Sequence, residues 1–262
     1  MTGTLLARGM LVGIIAGLLA FGFAKVFGEP QVDKAIAFES AMDAAKAAAA
    51  KAKEDDKGIM AGMDMGRDVE LFSRDVQSGL GLFTGVMAYG IAFGGLFSLV
   101  FAYCYGRLGK LGPRPLSALI AVTGFVAVVL VPDLKYPANP PSIGNPDTIG
   151  HRTAMFFLMI VISIAAMVAA VNLLRRLHGR FGTWNAVLIS GAAFIAVIAA
   201  AQLLLPDIDE VPDEFPAVVL WRFRAAALGI QLVMWTSLGL IFGWLTERAQ
   251  QSRFRFARPV AP

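Results

Sequence analysis

The chain has 262 residues, of which 57% are hydrophobic and only 16% are charged, and its formal net charge is +4 at pH 7. A soluble domain carries about 25% charged residues, so this composition excludes a water-soluble fold and indicates an integral membrane protein. Cys104 is the only cysteine, which excludes an intramolecular disulfide and a thiolate metal cluster.

Six apolar segments are long enough to cross a membrane, for which a helix needs about 20 residues. Each is too long and too continuous to alternate as a strand, which excludes a β-barrel. The predicted fold class is therefore all-α, a polytopic bundle of six transmembrane helices. The segments cover residues 8–28, 78–105, 115–132, 153–174, 184–205 and 218–246.

The first segment also has features of a signal peptide. Arg8 provides a short basic region, and the small residues Gly22 and Ala24 fit a cleavage site. Its apolar stretch is longer than the roughly 7–15 residues of a signal peptide, so we predict a retained helix.

A polar insertion at residues 29–75 follows, within what is otherwise one membrane domain over residues 1–262. The Ala, Lys and Glu content of residues 35–57 favours a water-exposed helix. A methionine-rich stretch comes next. Its thioethers would select a soft ion such as Cu(I), although a linker with chance methionines has the same composition. The methionines are Met60, Met63 and Met65.

The second segment is rich in glycine. Gly90 and Gly94 form a small-xxx-small pair, a spacing that lets the main chains of two helices approach closely. We therefore expect this face of the segment at a helix–helix contact.

The connections between the segments alternate in charge. The loops 106–114 and 175–183 and the C-terminal tail are basic, whereas the loops 133–151 and 206–217 are acidic. Under the positive-inside rule the basic connections face the cytoplasm, so both termini are predicted to be cytoplasmic, in a cell inner membrane. Of the 19 acidic residues, only Glu247 then lies inside.

The third and fifth segments end in similar tripeptides, which suggests a repeat of two helices. Val-Pro-Asp at 131–133 and Leu-Pro-Asp at 205–207 lie 74 residues apart. Repeats in membrane proteins often flank a transport path. Proline and aspartate also mark helix ends in general, so both interpretations stay open.

The acidic outer loops contain candidate ligands for a divalent cation. Carboxylates with one imidazole suit a cation of borderline hardness, and clustered acids raise the local cation concentration even without tight binding. The alternative is that they are solvated loop residues without a ligand role. The candidates are Asp133, Asp147, His151, Asp207, Asp209 and Glu210.

Arginines stand at the predicted outer ends of three helices. Because an arginine in the outer leaflet is costly unless it is paired or snorkels, we expect Arg222 or Arg224 to pair with a carboxylate. The alternative is snorkelling beside Trp221 in an aromatic belt. Gln231 lies deeper, near the middle of the membrane, and needs an internal partner. The arginines at the helix ends are Arg74, Arg152 and Arg222.

Several catalytic motifs are absent. The chain has no Walker A loop, no H-E-x-x-H and no G-x-S-x-G, so ATP hydrolysis by this chain and an intramembrane enzyme are not expected. The helix interiors hold almost no acids, so no proton relay is predicted. We expect no cofactor and no nucleic-acid partner.

The run Lys-Tyr-Pro-Ala-Asn-Pro-Pro at 135–141, which includes Asn139, is the most specific of several distinctive stretches. Through this run and the other stretches, the sequence resembles the CbtA family over nearly the whole chain. The resemblance implies a cobalt transporter subunit associated with cobalamin synthesis, often paired with CbtB, a small one-span subunit that contains histidine. Members commonly have a His-rich first exterior loop, whereas this loop has methionines and no histidine. The departure either counts against metal capture at the loop or shifts it toward a softer ion. The other stretches are 73–77, 79–82, 146–149, 152–153, 211–212, 215–217 and 220–224, with Gln231.

The sequence therefore predicts a membrane transporter subunit for cobalt or a similar divalent metal ion. Outer acids would gather the ion, and the segments 132–147 and 206–217 would form the entrance, with Arg152, Arg222 and Arg224 holding the acids in place. The alternative is a non-transporting membrane scaffold or a Cu(I)-handling chaperone subunit that uses the methionine stretch. The lipid bilayer and a CbtB-like subunit are the expected partners. Residues predicted to have structural or gating roles are Arg74, Asn139, Arg152, Trp221, Arg222, Arg224 and Gln231.

Overall fold

The computed structural model describes residues 2–54, 73–141, 143–144 and 146–256, and the regular structure within these ranges is all helical. The predicted all-α fold class is confirmed. Single π-helical turns at Ala24–Gly28, Gln77–Gly81 and Val126–Leu130 join successive helices, and a short 3-10 helix at Pro146–Thr148 precedes the seventh. The helices are α1 (Thr2–Phe23), α2 (Glu29–Glu54), α3 (Arg74–Val76), α4 (Leu82–Cys104), α5 (Pro113–Phe125), α6 (Val131–Lys135), α7 (Ile149–Leu204) and α8 (Ala217–Phe256).

Five continuous helical stretches of the described chain are long and apolar enough to cross a membrane, where six segments were predicted. The difference lies in α7, whose 56 residues would extend about 84 Å if straight, far more than one crossing needs. The stretches are Thr2–Ala49, Arg74–Cys104, Pro113–Lys135, Ile149–Leu204 and Ala217–Ser252.

Gly182 divides α7 into two helices. Its φ of +74° and ψ of 167° are not helical, and glycine reaches this region without steric cost. The predicted loop 175–183 is therefore wrong in extent, because the helix continues through Phe181 and one glycine makes the break. Six crossings and cytoplasmic termini remain predictions.

Glycines bring α1 and α4 into close contact. A Cβ atom built on Gly13 would collide with the main chain of Gly90, and one on Gly94 would collide with that of Gly9. The expected contact at Gly90 and Gly94 is thus confirmed. The partner face, in which Gly9, Gly13 and Gly17 are spaced by four residues, was not singled out from the sequence.

The apolar core has a main part and a smaller part. In the main part α1, α4, α5 and α8 pack together around buried residues such as Phe101, Leu116 and Phe242. The smaller part lies between α6 and α7, where Met159 is fully buried near Tyr136. Much of the apolar surface of α7 is exposed, as expected for a helix that faces lipid.

Ion pairs lie at both ends of the bundle, and they place the helix ends on the two sides that the charges of the loops predict. At one end, Arg74 lies 2.5 Å from Glu29. At the other, Arg114 lies 2.6 Å from Glu247, which belongs to the predicted cytoplasmic side. We call the end with Arg74 the outer end, and it also holds the segments 133–152 and 206–224.

The insertion begins with α2, which continues the direction of α1 and confirms the helix predicted over residues 35–57 as far as Glu54. Near its start, Ala35 is buried beside Ile143 and Phe215, and the Phe38 ring packs edge-on against Phe215 with centroids 5.1 Å apart. This end of α2 therefore lies against the loops of the outer end. The methionines Met60, Met63 and Met65 lie outside the described residues.

The orientation in the membrane can be tested by labelling single cysteines in a Cys104→Ser background. Lys110 is a suitable inner probe because it is exposed, whereas its neighbour Gly109 has a φ of +83° that a cysteine would strain. We expect an impermeant thiol reagent applied from outside to label Asp213→Cys and to leave Lys110→Cys unmodified until the cells are opened. Labelling of Lys110→Cys in intact cells would reverse the predicted orientation.

Candidate functional site

A cavity of about 1170 Å³ lies at the outer end, between the segment 136–141 and helices α4, α6, α7 and α8. Its wall is mainly apolar, with polar side chains at separate positions, as is usual for a binding cavity. It joins residues predicted separately from the sequence and extends into the membrane region. The predicted site residues that line it are Asp133, Asn139, Arg152, Asp209, Arg224 and Gln231.

The proline-rich segment forms one wall because it cannot continue the helix before it. α6 ends at Lys135, and the prolines that follow Tyr136 lack the N–H group that a helix requires. The Tyr136 hydroxyl donates a hydrogen bond to the carbonyl of Pro206 at 2.9 Å, which fixes this segment to the end of α7. Burial raises the pKa of the Tyr136 phenol, so this group remains a hydrogen-bond donor at neutral pH.

Arg224 crosses the cavity wall from α8 to the proline-rich segment. Its Nε donates to the carbonyl of Ala138 at 3.3 Å, and its Nη2 donates to Asn139 Oδ1 at 2.8 Å. The carboxylate of Asp133 accepts the N–H of Ala138 at 3.3 Å and is close enough to Arg224 to interact with its charge. Arg224 therefore links the loop to α8 and partly balances Asp133.

The expected ion pair of Arg222 or Arg224 with a carboxylate is not found within 4 Å among the described residues. Arg224 uses the loop oxygens instead, which a sequence does not reveal because one of them belongs to the main chain. Arg222, two positions away and thus on another side of the helix, is exposed, as is Trp221. Snorkelling is the better description of Arg222.

Arg152 makes an ion pair with Glu210. Its Nη1 lies 3.0 Å from Glu210 Oε2, and the Thr148 hydroxyl donates to the same carboxylate. Gly144, with a φ of +119°, lies so close to this pair that an added Cβ would meet Arg152 and Glu210. The pair therefore joins α7, the loop before α8 and the proline-rich segment.

The other predicted outer residues lie apart from the cavity wall. Asp207 pairs with Lys135, and Arg74 pairs with Glu29 and with Asp33. The remaining residues, His151 and Asp147, are exposed.

The outer acids do not form one cluster. Within the described ranges, no three His, Cys, Asp or Glu side chains lie close enough to hold a metal ion together, a question that the sequence left open for Asp133, Asp147 and 207–210. The reason is electrostatic, since nearby carboxylates repel one another and Asp207 and Glu210 each lie next to a different base. The ligand roles of these residues stay predictions.

The charged lining of the cavity still contains more acids than bases. Three acids and two bases reach its surface, and the partner of Arg152 adds a further carboxylate. A cavity of this kind with low-dielectric walls attracts cations. The lining acids are Glu39, Asp133 and Asp209, and the lining bases are Arg152 and Arg224.

Tyr89 and Gln231 form the deep end of the cavity. The Tyr89 hydroxyl donates to Gln231 Oε1 at 3.4 Å, which provides the internal partner that Gln231 was expected to need. Tyr89 and Glu39 were not singled out from the sequence. A tyrosine in the middle of an apolar segment was the one available signal for Tyr89, because its hydroxyl also needs a partner in lipid.

A comparison with protein families identifies the family of the chain. The family model described as a probable cobalt transporter subunit (CbtA) matches residues 2–247, which include every residue of the cavity wall. The chain belongs to the CbtA family. Membership of CbtA makes it a membrane transporter subunit and implies that it works with at least one other subunit. Searches of curated proteins and of solved structures found no match.

The two CbtA arginines at the start of α8 offer a matched pair of variants. Arg224→Ala would leave the carbonyl of Ala138 and the amide of Asn139 without their donor, so we expect a loss of about 1–3 kcal/mol in folding stability. Arg222→Ala, which removes an exposed side chain, should melt close to the parent. Thermal melting of the purified protein in detergent measures both variants, and equal melting temperatures would make Arg224 an interfacial anchor only.

Proposed function

We propose that this chain is the subunit through which cobalt, or a similar divalent metal ion, crosses the membrane, and that the ion enters from the outer end through the cavity. The observation that carries the proposal is the cavity itself, which has an excess of acids and extends from the outer loops to Tyr89 and Gln231. The family description, a probable cobalt transporter subunit, supports the choice of ion.

The cavity suits an ion that keeps its water. Six waters at about 30 Å³ each occupy roughly 180 Å³, which is well below the volume of about 1170 Å³. Asp133 is the carboxylate that the ion would meet where the cavity wall enters the membrane region. Asp209 and Glu39 are the other acids of the cavity wall. Asp147 would raise the local cation concentration near the opening, and His151 would offer an imidazole ligand there. Asp207 and Glu210 are each paired with a base and would contribute less.

The wider assignment follows from the sequence. The chain would form one membrane domain over residues 1–262, with the insertion at 29–75 outside and six crossings in a cell inner membrane. Its partner would be a CbtB-like one-span subunit, and the imported cobalt would serve cobalamin synthesis, as the resemblance implies.

Metal uptake in cells with and without this chain tests the proposal, with cobalt, nickel and copper measured in parallel. We expect the chain to raise the initial rate of cobalt uptake and to change copper little. A change in copper alone would favour the chaperone alternative that rests on the methionine stretch, and unchanged uptake of all three metals would contradict transport.

A further inference from the structure

Tyr89 and Gln231, at the deep end of the cavity, lie where the burial of polar groups is energetically unfavourable. Gln231 is 14 residues beyond the start of α8 at Ala217, about 21 Å along a helix axis. Gln231 also lies seven residues beyond Arg224, near the middle of the apolar segment 218–246. A phenol and an amide at this depth are expensive to bury, so a function is the default explanation for them.

A layer of aromatic rings closes the cavity directly below this pair. The Tyr89 ring stacks on Phe93 with centroids 4.1 Å apart, and Phe93 meets Trp235 edge-on at 6.0 Å. Trp235 lies one helical turn below Gln231, and its ring rests on the main chain of α5 at Gly124, where a Cβ would collide with it. The layer therefore connects α4, α5 and α8.

The interior beyond the layer is filled. Phe97 and Phe101 both pack edge-on against Phe242, which has no exposed surface, and Leu238 is buried beside them. Such packing leaves no room for water or a hydrated ion. The cavity thus reaches only from the outer end to the level of Gln231.

Trp235 differs from an ordinary buried tryptophan in one respect. It is only 7% exposed, yet within the part of the chain that the structure describes its Nε1 has no hydrogen-bond partner. Buried indole N–H groups usually have one, because an unpaired donor costs free energy. The unpaired donor therefore makes this closed position of the ring less stable than a fully hydrogen-bonded one would be.

We propose that Tyr89 and Gln231 form the deepest contact for the water shell of a divalent cation, and that the layer of Phe93 and Trp235 is the barrier that opens for its passage. The phenol and amide oxygens would accept hydrogen bonds from the waters of the ion. The proposal rests on the proposed function for the identity of the ion, whereas the position of the barrier rests on the packing.

Thiol labelling from outside tests the barrier without any measurement of transport. In a Cys104→Ser background, a small impermeant methanethiosulfonate should modify Asp209→Cys at the cavity wall and Gln231→Cys at its deep end. It should leave Leu238→Cys, two turns deeper on the same face of α8, unmodified. Adding Trp235→Ala should make Leu238→Cys reactive. Labelling of Asp209→Cys without Gln231→Cys, or of Leu238→Cys with Trp235 intact, would overturn the proposal.

Cobalt uptake tests the polar pair. We expect Gln231→Leu, and to a lesser degree Tyr89→Phe, to lower the initial uptake rate, by about tenfold for Gln231→Leu. The matched control is Leu232→Ala, the neighbouring exposed position, with rates normalised to the protein in the membrane. If Gln231→Leu leaves cobalt uptake unchanged, the proposed contact of Gln231 with the water shell of the ion is wrong. If the parent itself moves no cobalt, the proposed function fails, while the labelling pattern still decides the barrier.

Discussion

Gly13→Leu is expected to prevent stable packing of the bundle. Even a Cβ atom at this position would collide with the main chain of Gly90, which cannot rotate away as a side chain can. Overpacking in a core typically costs about 1–3 kcal/mol, and a leucine against main chain belongs at or above the upper end. We expect a severe loss of monodisperse protein in size-exclusion chromatography and a much lower melting temperature.

Two glycines at open positions control for the change of residue type. Gly22 on α1 and Gly85 on α4 have no atom within 4 Å of an added Cβ, so Gly22→Leu and Gly85→Leu should accumulate like the parent. If all three leucine variants behave alike, the close contact of α1 with α4 does not determine stability.

Asp133→Asn is expected to weaken cobalt uptake while leaving the amount of protein unchanged. The asparagine keeps an oxygen that can accept the Ala138 N–H, but it removes the negative charge from the cavity wall. Hydrogen bonds to a charged group contribute about 1.5–3 kcal/mol, so the cobalt concentration for half-maximal uptake should rise roughly ten- to hundredfold. The measurement is the initial uptake rate over a range of cobalt concentrations.

Asp207→Asn is the matched control. This carboxylate pairs with Lys135 outside the cavity and its side chain is 93% exposed, so its removal should change cobalt uptake little. Joint replacement of Met60, Met63 and Met65 should also matter little, because thioethers are poor ligands for a harder ion. Uptake that survives Asp133→Asn and fails without the methionines would place the metal site in the insertion.

The fold class and the grouping of the helix ends could be predicted because composition and charge report them directly. Basic and acidic connections alternate, and the structure places Arg74 and Arg152 at the end opposite Glu247. The sequence also contained both glycine faces, but a small-xxx-small spacing does not identify its partner. The pairing of Gly13 with Gly90 therefore needed coordinates.

The composition of the cavity could be predicted only in part. Asp133 and Gln231 are conspicuous as polar residues beside or within apolar segments. Tyr89 offered only its hydroxyl within an apolar segment and Glu39 offered no signal, because their presence in the wall depends on how α4 and α2 are rotated about their axes. The partners of Arg224 were missed for another reason, since one is a main-chain carbonyl, which carries no signal in a sequence, and Asn139 was not expected to pair with it.

The separation of the apolar core into two parts has a mechanical consequence. The contacts of α7 with the other described helices are concentrated on α6 and the π-helical turn before it, so α7 is held to the bundle mainly by this segment. It carries Arg152 and Phe156 on one wall of the cavity, whereas α8 carries Arg224 and Gln231 on the other. A tilt of the part of α7 before Gly182 relative to this segment would change the width of the cavity while the glycine contact between α1 and α4 stays intact.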